Sequence, residues 1–324
     1  MAKMTYGLEL ETVGLNAGDI GRAIEGIDNC EFGGHFGYHG SRVLGLRHAR
    51  MDGSQIIWVT ERDGSLYEFP RTRTTGKTAE IVSPILYGRE GLAHAARVMK
   101  AVARAGAKVN RTCGTHVTMG IKDVSARFRR MGRNAQAKVA MLVVEIYDYF
   151  NVAFQSLVSE SRRNNSYCYR PHHHRFSPQT GLAEIQTFGQ GSKLTMARNL
   201  QLVRSQRGQV NLNKFATTGI VEFRMHNGTL SGHKITTWAL LHHRILSFVC
   251  NNTSFEDFRN FSPDLDGLME MINVGSDLKR DLLARRDEVV ASSPVVPQFA
   301  DTKYLDAHIE FCYGTEETVV GGDE

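Results

Sequence analysis

Tyr6-Gly7-Leu8-Glu9-Leu10-Glu11-Thr12-Val13 is the stretch on which the reading of this chain turns. Tyr6, Leu8 and Leu10 fall on one face and Gly7, Glu9, Glu11 and Val13 on the other, which is the period of a strand with one face in a core. Two carboxylates two residues apart on one strand face repel each other unless a cation lies between them. Taken alone, the pair suits a solvated edge strand as well as it suits a metal site.

Outward from this strand, similar patterns occupy Gln55 to Thr60, Ser65 to Phe69, Thr78 to Val82, Thr115 to Ile121, Ala183 to Phe188 and Gly219 to His226. Gly33 to Gly40 is too glycine-rich for a regular element and reads as a mobile loop. Helical spacing covers Gly88 to Ala105, where Leu92, Ala96, Met99 and Ala103 form a stripe that Gly106 ends. It recurs over Ser125 to Ser156, Thr237 to Asn251, Leu265 to Val274 and Asp277 to Val290. Helices follow strands irregularly, so an α+β fold with an antiparallel or mixed sheet is expected and a doubly wound parallel sheet is not. No repeat or linker divides the chain, which predicts one catalytic domain over residues 1–313, with a core at about 4–250, a helical extension at about 251–313 and a flexible acidic tail at 314–324.

Composition narrows the class. Hydrophobic residues make up 41% and charged residues 23% of 324, as in ordinary globular proteins. The most apolar window, Val139 to Val158, carries Glu145 and Asp148 and falls short of the roughly 18 apolar residues of a membrane span. The N-terminus shows no signal-peptide pattern, and the cysteines are five, scattered and free of C-x-x-C pairs, which fits a reducing cytoplasm. Lys plus Arg exceed Asp plus Glu by 39 to 34, an excess that suits phosphates and small anions more than a dedicated nucleic-acid surface.

Further strands add chemistry to the first. Glu80 lies in a short strand ended by Ser83-Pro84, His116 and Thr118 share a face, and Glu222 shares one with Arg224 while Val221, Phe223 and Met225 take the other. If these faces converge, they form a hard, oxygen-rich cavity of the kind that holds Mg²⁺ or Mn²⁺ with nucleotide phosphates.

The blocks Tyr6 to Glu11, Asp63-Gly64-Ser65-Leu66, Glu80 to Leu86, Cys113-Gly114-Thr115-His116-Val117 and Val221 to Leu230 resemble, in order, the signature blocks of the amidoligase family. That family lies in the superfamily of carboxylate–amine ligases that includes glutamine synthetase and glutamate–cysteine ligase. The resemblance covers about residues 4–250. It implies a glutamine-synthetase-like fold, an antiparallel sheet curved into a half barrel with helices on its convex side and with ATP and two or three divalent cations, Mg²⁺ or Mn²⁺, on its concave face. By the same resemblance Glu9, Glu11, Glu80, His116 and Glu222 take the metal-binding roles, and Arg224 contacts phosphate or acyl phosphate. Two less sharp blocks, Ser161 to Cys168 and Arg207 to Leu212, are assigned to substrate and phosphate contact through Arg163, Arg207 and Asn211. Some members carry a second metal-ligating glutamate near the position of Glu80; here Glu61, Glu68 and Glu90 lie nearby, none at a clear motif position.

The implied reaction joins a small-molecule or peptide carboxylate to an amine. A carboxylate does not react with an amine at neutral pH, so ATP first converts it to an acyl phosphate, which the amine then displaces. Asp63 or Glu80 could take the amine proton, and the sequence does not choose. A guanidino-kinase-like phosphotransferase is the alternative in the same fold. A nucleic-acid-associated, base-modifying role is a second, suggested by Arg127, Arg129, Arg130, Arg133 and Lys138, by Arg162, Arg163, Arg170 and Arg175, and by the occurrence of family members in phage and bacterial genomes.

Other features are set aside. Thr75-Gly76-Lys77-Thr78 lacks the first glycine of a P-loop, so Arg71, Arg73 and Lys77 read as a mobile basic loop over the nucleotide. His172-His173-His174 has no second ligand pair for zinc, and His35 and His39 suit a lid or open solvent equally. Cys168 stands beside arginines that would lower its pKa, although packing is the commoner role of a lone cysteine. His242-His243 is placed at the polar boundary of its helix.

Overall fold

The computed structural model describes residues 4–37, 56–67, 76–163, 165–168, 208–252 and 257–292. The strands are β1 (Thr5–Val13), β2 (Cys30–Phe36), β3 (Ile56–Glu61), β4 (Thr78–Val82), β5 (Leu86–Tyr87), β6 (Gly114–Gly120), β7 (Val210–Asn211) and β8 (Ile220–Asn227). They form one open sheet of order β2-β3-β4-β1-β6-β8-β7, with β5 paired to β1 off this path. Every pairing is antiparallel except β2 with β3, so the sheet is mixed.

Among the described residues the helices are α1 (Ala17–Glu25), α2 (Gly88–Arg104), α3 (Ile121–Val124), α4 (Ala126–Arg130), α5 (Arg133–Tyr149), α6 (Asn151–Ser156), α7 (Glu160–Arg163), α8 (Phe215–Thr218), α9 (Gly232–Asn251), α10 (Leu265–Met271) and α11 (Ser276–Ser292). The pattern from Ser125 to Ser156 is therefore three helices. Ser125 Oγ caps α4 by accepting from Phe128 N, Met131 is extended, and Gly132 starts α5. Helix α1 carries no expectation from the sequence; Asn16 opens it, its side-chain oxygen accepting from Asp19 N at 2.9 Å.

The apolar strand face and the helices share one core. Tyr6, Leu8 and Leu10 of β1, Ile81 of β4, Val117 of β6 and Phe223 of β8 are buried with Val98 of α2, Leu142 of α5 and Ile245 of α9. Each such side chain contributes roughly 1.5–3 kcal/mol by leaving water. Leu265 and Leu268 of α10 and Leu282 of α11 join the same cluster. His242 lies inside it, fully buried, and not at a polar boundary. Its ring packs at a tilt of 38° against Phe223 with centroids 4.0 Å apart, its Nδ1 meets the Trp238 carbonyl at 2.6 Å, and its Nε2 meets the Tyr147 hydroxyl. Burial pulls its pKa down to about 3, so the ring is neutral and both nitrogens are satisfied.

Two local expectations give way. Residues 38–40 lie outside the described residues, and Gly33 to Phe36, expected in a loop over Gly33 to Gly40, belong to the strand Cys30–Phe36. Its register against β3 shifts between Phe32 and His35, Gly34 has φ +110°, and a Cβ on Gly33 would lie 2.7 Å from Ile57 Cγ2. Glycine here makes the bulge and allows the close approach. Conversely, the part of Ser65 to Phe69 that is described is not a strand: Asp63 accepts from Ser65 N at 2.6 Å and turns the chain. The Ala183 to Phe188 strand and the 314–324 tail lie outside the described residues.

Candidate metal-binding and active site

Strand register assembles the site on the face opposite the core. Glu9 of β1 pairs with His116 of β6, Glu11 of β1 with Glu80 of β4, Thr118 of β6 with Glu222 of β8, and Glu222 with Asn211 of β7. His116 Nδ1 lies 3.4 Å from Glu9 Oε2 and 3.8 Å from Glu222 Oε1, and its Nε2 lies 3.8 Å from Glu11 Oε1. Glu9, Glu80 and His116 each offer a ligand atom, all within 4.8 Å of one another. Bonds of about 2.0–2.6 Å to one central cation span that spacing, and carboxylates with a single imidazole are the donor set of Mg²⁺ or Mn²⁺. The residues fit such an ion.

A bulge completes the set. Between Thr115–His226 and Val117–Phe223 the β6 strand advances two residues and β8 three, so Arg224 and Met225 oppose His116 together. Arg224 keeps to the acidic side, where its Nη1 donates to Glu222 Oε1 at 2.5 Å, while His226 turns toward Trp238, ring centroids 5.0 Å apart. Asn211 Nδ2 donates to Glu222 Oε2 at 2.7 Å, so Asn211 orients that carboxylate.

The electrostatics follow from enclosure. Burial raises the Glu11 carboxyl pKa, and His116, Arg162 and the Gly114 N–H that Glu11 accepts from only partly oppose this. Burial works against the Arg224 guanidinium, but Glu222 and Glu9 more than offset it and its pKa rises. Glu11 and His116 have side chains 6% and 4% exposed, so their mutual field is poorly screened.

Glu61 belongs to this site. It is fully buried at the end of β3, pairs with Glu80, and so continues the row Glu11, Glu80, Glu61 across three strands. In the sequence it closes Ile56 to Glu61 with no motif of its own; only its place opposite Glu80 identifies it.

Other expected residues fall elsewhere. Asp63 is half-buried on the turn after β3 and acts on Glu11 through its charge. Lys77 is exposed just before β4, and its carbonyl accepts from Gly14 N at 2.8 Å. Arg163 donates through Nε to the Gln155 and Val158 carbonyls at 3.0 and 3.2 Å and ties α7 to α6. Arg162, 2% exposed, faces the site instead and cannot serve a nucleic-acid surface. Cys168 is buried, and burial raises its thiol pKa over the lowering pull of Arg162 and Arg224, the reverse of an activated thiol. His35 is exposed and bonded to Thr60 Oγ1 at 3.0 Å. Arg207, Arg71, Arg73, His39, Glu68, His172-His173-His174, Arg170 and Arg175 lie outside the described residues. Among the described residues no helix is long and apolar enough to cross a membrane.

A family model described as "Putative amidoligase enzyme" matches residues 2–246. No curated protein matches the sequence. Among solved structures, the chain is similar to a bifunctional glutathione synthetase from Pasteurella multocida, with 12% sequence identity and a TM-score of 0.40, over 95% of this chain and 49% of that one. The chain thus spans about half the length of that protein.

Proposed function

Because the chain belongs to the amidoligase family, we propose that it is an ATP- and Mg²⁺-dependent carboxylate–amine ligase acting on small-molecule or peptide substrates. The observation that carries this reading is the convergence of Glu9, Glu80 and His116, flanked by Glu11 and Glu222, on one sheet face beside Arg224. We place the cations on Glu9, Glu11, Glu61, Glu80, Glu222 and His116. Bound there, they supply Lewis-acid neutralisation of phosphate charge. The glutamine-synthetase-like half barrel belongs to the same proposal.

The substrate carboxylate attacks the γ-phosphorus of ATP; the new C–O–P linkage forms and ADP leaves. Arg224, held charged by Glu222 and Glu9, faces the charge of the transferring phosphoryl group. The amine then attacks the acyl carbon, the C–N bond forms, the C–O bond to phosphate breaks and phosphate leaves. One amine proton must go to a base. A carboxylate bound to a cation is a poor base, so Asp63, half-buried at the edge and not among the proposed ligands, is assigned this task over Glu80.

The test incubates the protein with ATP, Mg²⁺ and a panel of amino acids and amines, following ADP release and products that have lost one water by mass spectrometry. Glu222→Gln should lower turnover by at least about 100-fold, since it disturbs both a ligand and the partner of Arg224. An unchanged rate in that variant sinks the metal assignment; a stable phosphorylated acceptor with no amide selects the phosphotransferase.

A further inference from the structure

Arg162 is the least expected residue near the site. It lies in the single turn of α7, yet its side chain is 2% exposed and reaches the acidic face. Its Nη2 donates to the carbonyl of Arg224, inside the β8 bulge, at 2.6 Å. Its guanidinium also covers Gly114, where a Cβ would lie 2.8 Å from Nη2 and 3.1 Å from Cζ. Gly114 N–H in turn donates to Glu11. Arg162 has no close ion pair among the described residues, and its Nε has no hydrogen-bond partner. A buried guanidinium without a contacting carboxylate is expensive unless a nearby field compensates it, and here Glu11, which accepts from the Gly114 N–H beneath the guanidinium, supplies such a field.

We propose that Arg162 is a positioning residue that keeps the acidic site assembled before cations bind. Through the Arg224 carbonyl it fixes the bulge that aims Arg224 at Glu222, and through Gly114 it stands over Glu11 as a permanent positive charge. The glycine at 114 leaves room for it. The inference rests on the reading of the carboxylates as a metal site. Its consequence has two opposite signs: without Arg162 the metal-free protein is less stable, and divalent cations bind more tightly because one repelling charge is gone. An arginine that merely packs would weaken both or leave affinity unchanged.

The test uses the full chain stripped with EDTA, Mn²⁺ titrated calorimetrically, and thermal unfolding with and without Mn²⁺. Arg162→Met should bind Mn²⁺ roughly tenfold more tightly and show a lowered midpoint in EDTA that Mn²⁺ largely restores. Arg162→Lys, which keeps the charge, should bind Mn²⁺ within about twofold of wild type. Gly114→Ala, which pushes the guanidinium away, should shift affinity in the direction of Arg162→Met. If Arg162→Met does not fold in EDTA, recovery of folding by Mn²⁺ supports the proposal; failure to fold with Mn²⁺, together with unchanged affinity in Gly114→Ala, overturns it. Equal or weaker Mn²⁺ binding by folded Arg162→Met overturns it as well. A wild-type protein that binds no Mn²⁺ overturns the metal reading and this inference together, whereas normal wild-type binding with unaltered variants overturns this inference alone.

Discussion

Replacing Glu11 by Gln removes one charge from the cluster and almost nothing from its shape. The amide oxygen can still accept from Gly114 N–H, although a charge-assisted bond becomes a neutral one at a cost of about 1 kcal/mol. The attraction of His116 and Arg162 is lost too. Against this stands the desolvation of a carboxylate only 6% exposed, several kcal/mol for a buried ion. Burial is the largest influence on Glu11 and raises its pKa, so the neutral side chain should win by about 1–2 kcal/mol, or about 1.5–3 °C in the melting midpoint of the metal-free protein. Mn²⁺ reverses the order. At a concentration about 100 times its Kd, a cation that binds only the folded state adds roughly 2.7 kcal/mol to wild type, and the variant should lose most of that increment. Differential scanning calorimetry in EDTA and in Mn²⁺ reads both effects. A variant that melts below wild type in EDTA and keeps the full Mn²⁺ increment refutes the reasoning.

Two further outcomes are expected. Gly232→Ala places a Cβ 2.3 Å from Ala96 Cβ and 2.6 Å from its Cα, so α9 and α2 must move apart at a cost of about 1–3 kcal/mol; urea denaturation should show this loss, and adding Ala96→Gly should recover part of it. His94, His226 and His242 are buried, and burial holds them at about 4, 3 and 3. Their folded pKa values lie below the unfolded value near 6.5, so the stability they contribute is present above that pH and is lost as pH falls toward 4. Three protons taken up on unfolding give a slope of up to about 4 kcal/mol per pH unit; Glu11, whose pKa is raised, acts with the opposite sign and is one group against three. Urea midpoints measured from pH 7 to pH 4.5 should fall steadily, and a flat profile contradicts the burial of these rings.

What the sequence determined alone is the local alternation. Glu9 and Glu11 had to share a face because strand side chains repeat every two residues, and Glu222 and Arg224 likewise; the family blocks were legible because each is a short contiguous run of the chain. Helices with an uninterrupted apolar stripe, such as Gly88 to Arg104, were legible for the same reason. Tertiary structure decided what depends on neighbours distant in the chain. Glu61 becomes part of the site only because β3 pairs with β4 in a register that sets it against Glu80, and nothing between residues 56 and 61 encodes that register. Arg162 and Arg163 are adjacent arginines on one helical turn; the packing of α7 against β8 sends the first to the Arg224 carbonyl and the second to the end of α6. The strand at Cys30–Phe36 depends on β3 lying alongside, since its glycines have no strand preference of their own. His242 shows the same limit: helical periodicity leaves a histidine at the edge of an apolar stripe, and only the Tyr147 hydroxyl and the Trp238 carbonyl, which satisfy both ring nitrogens, allow it to be buried.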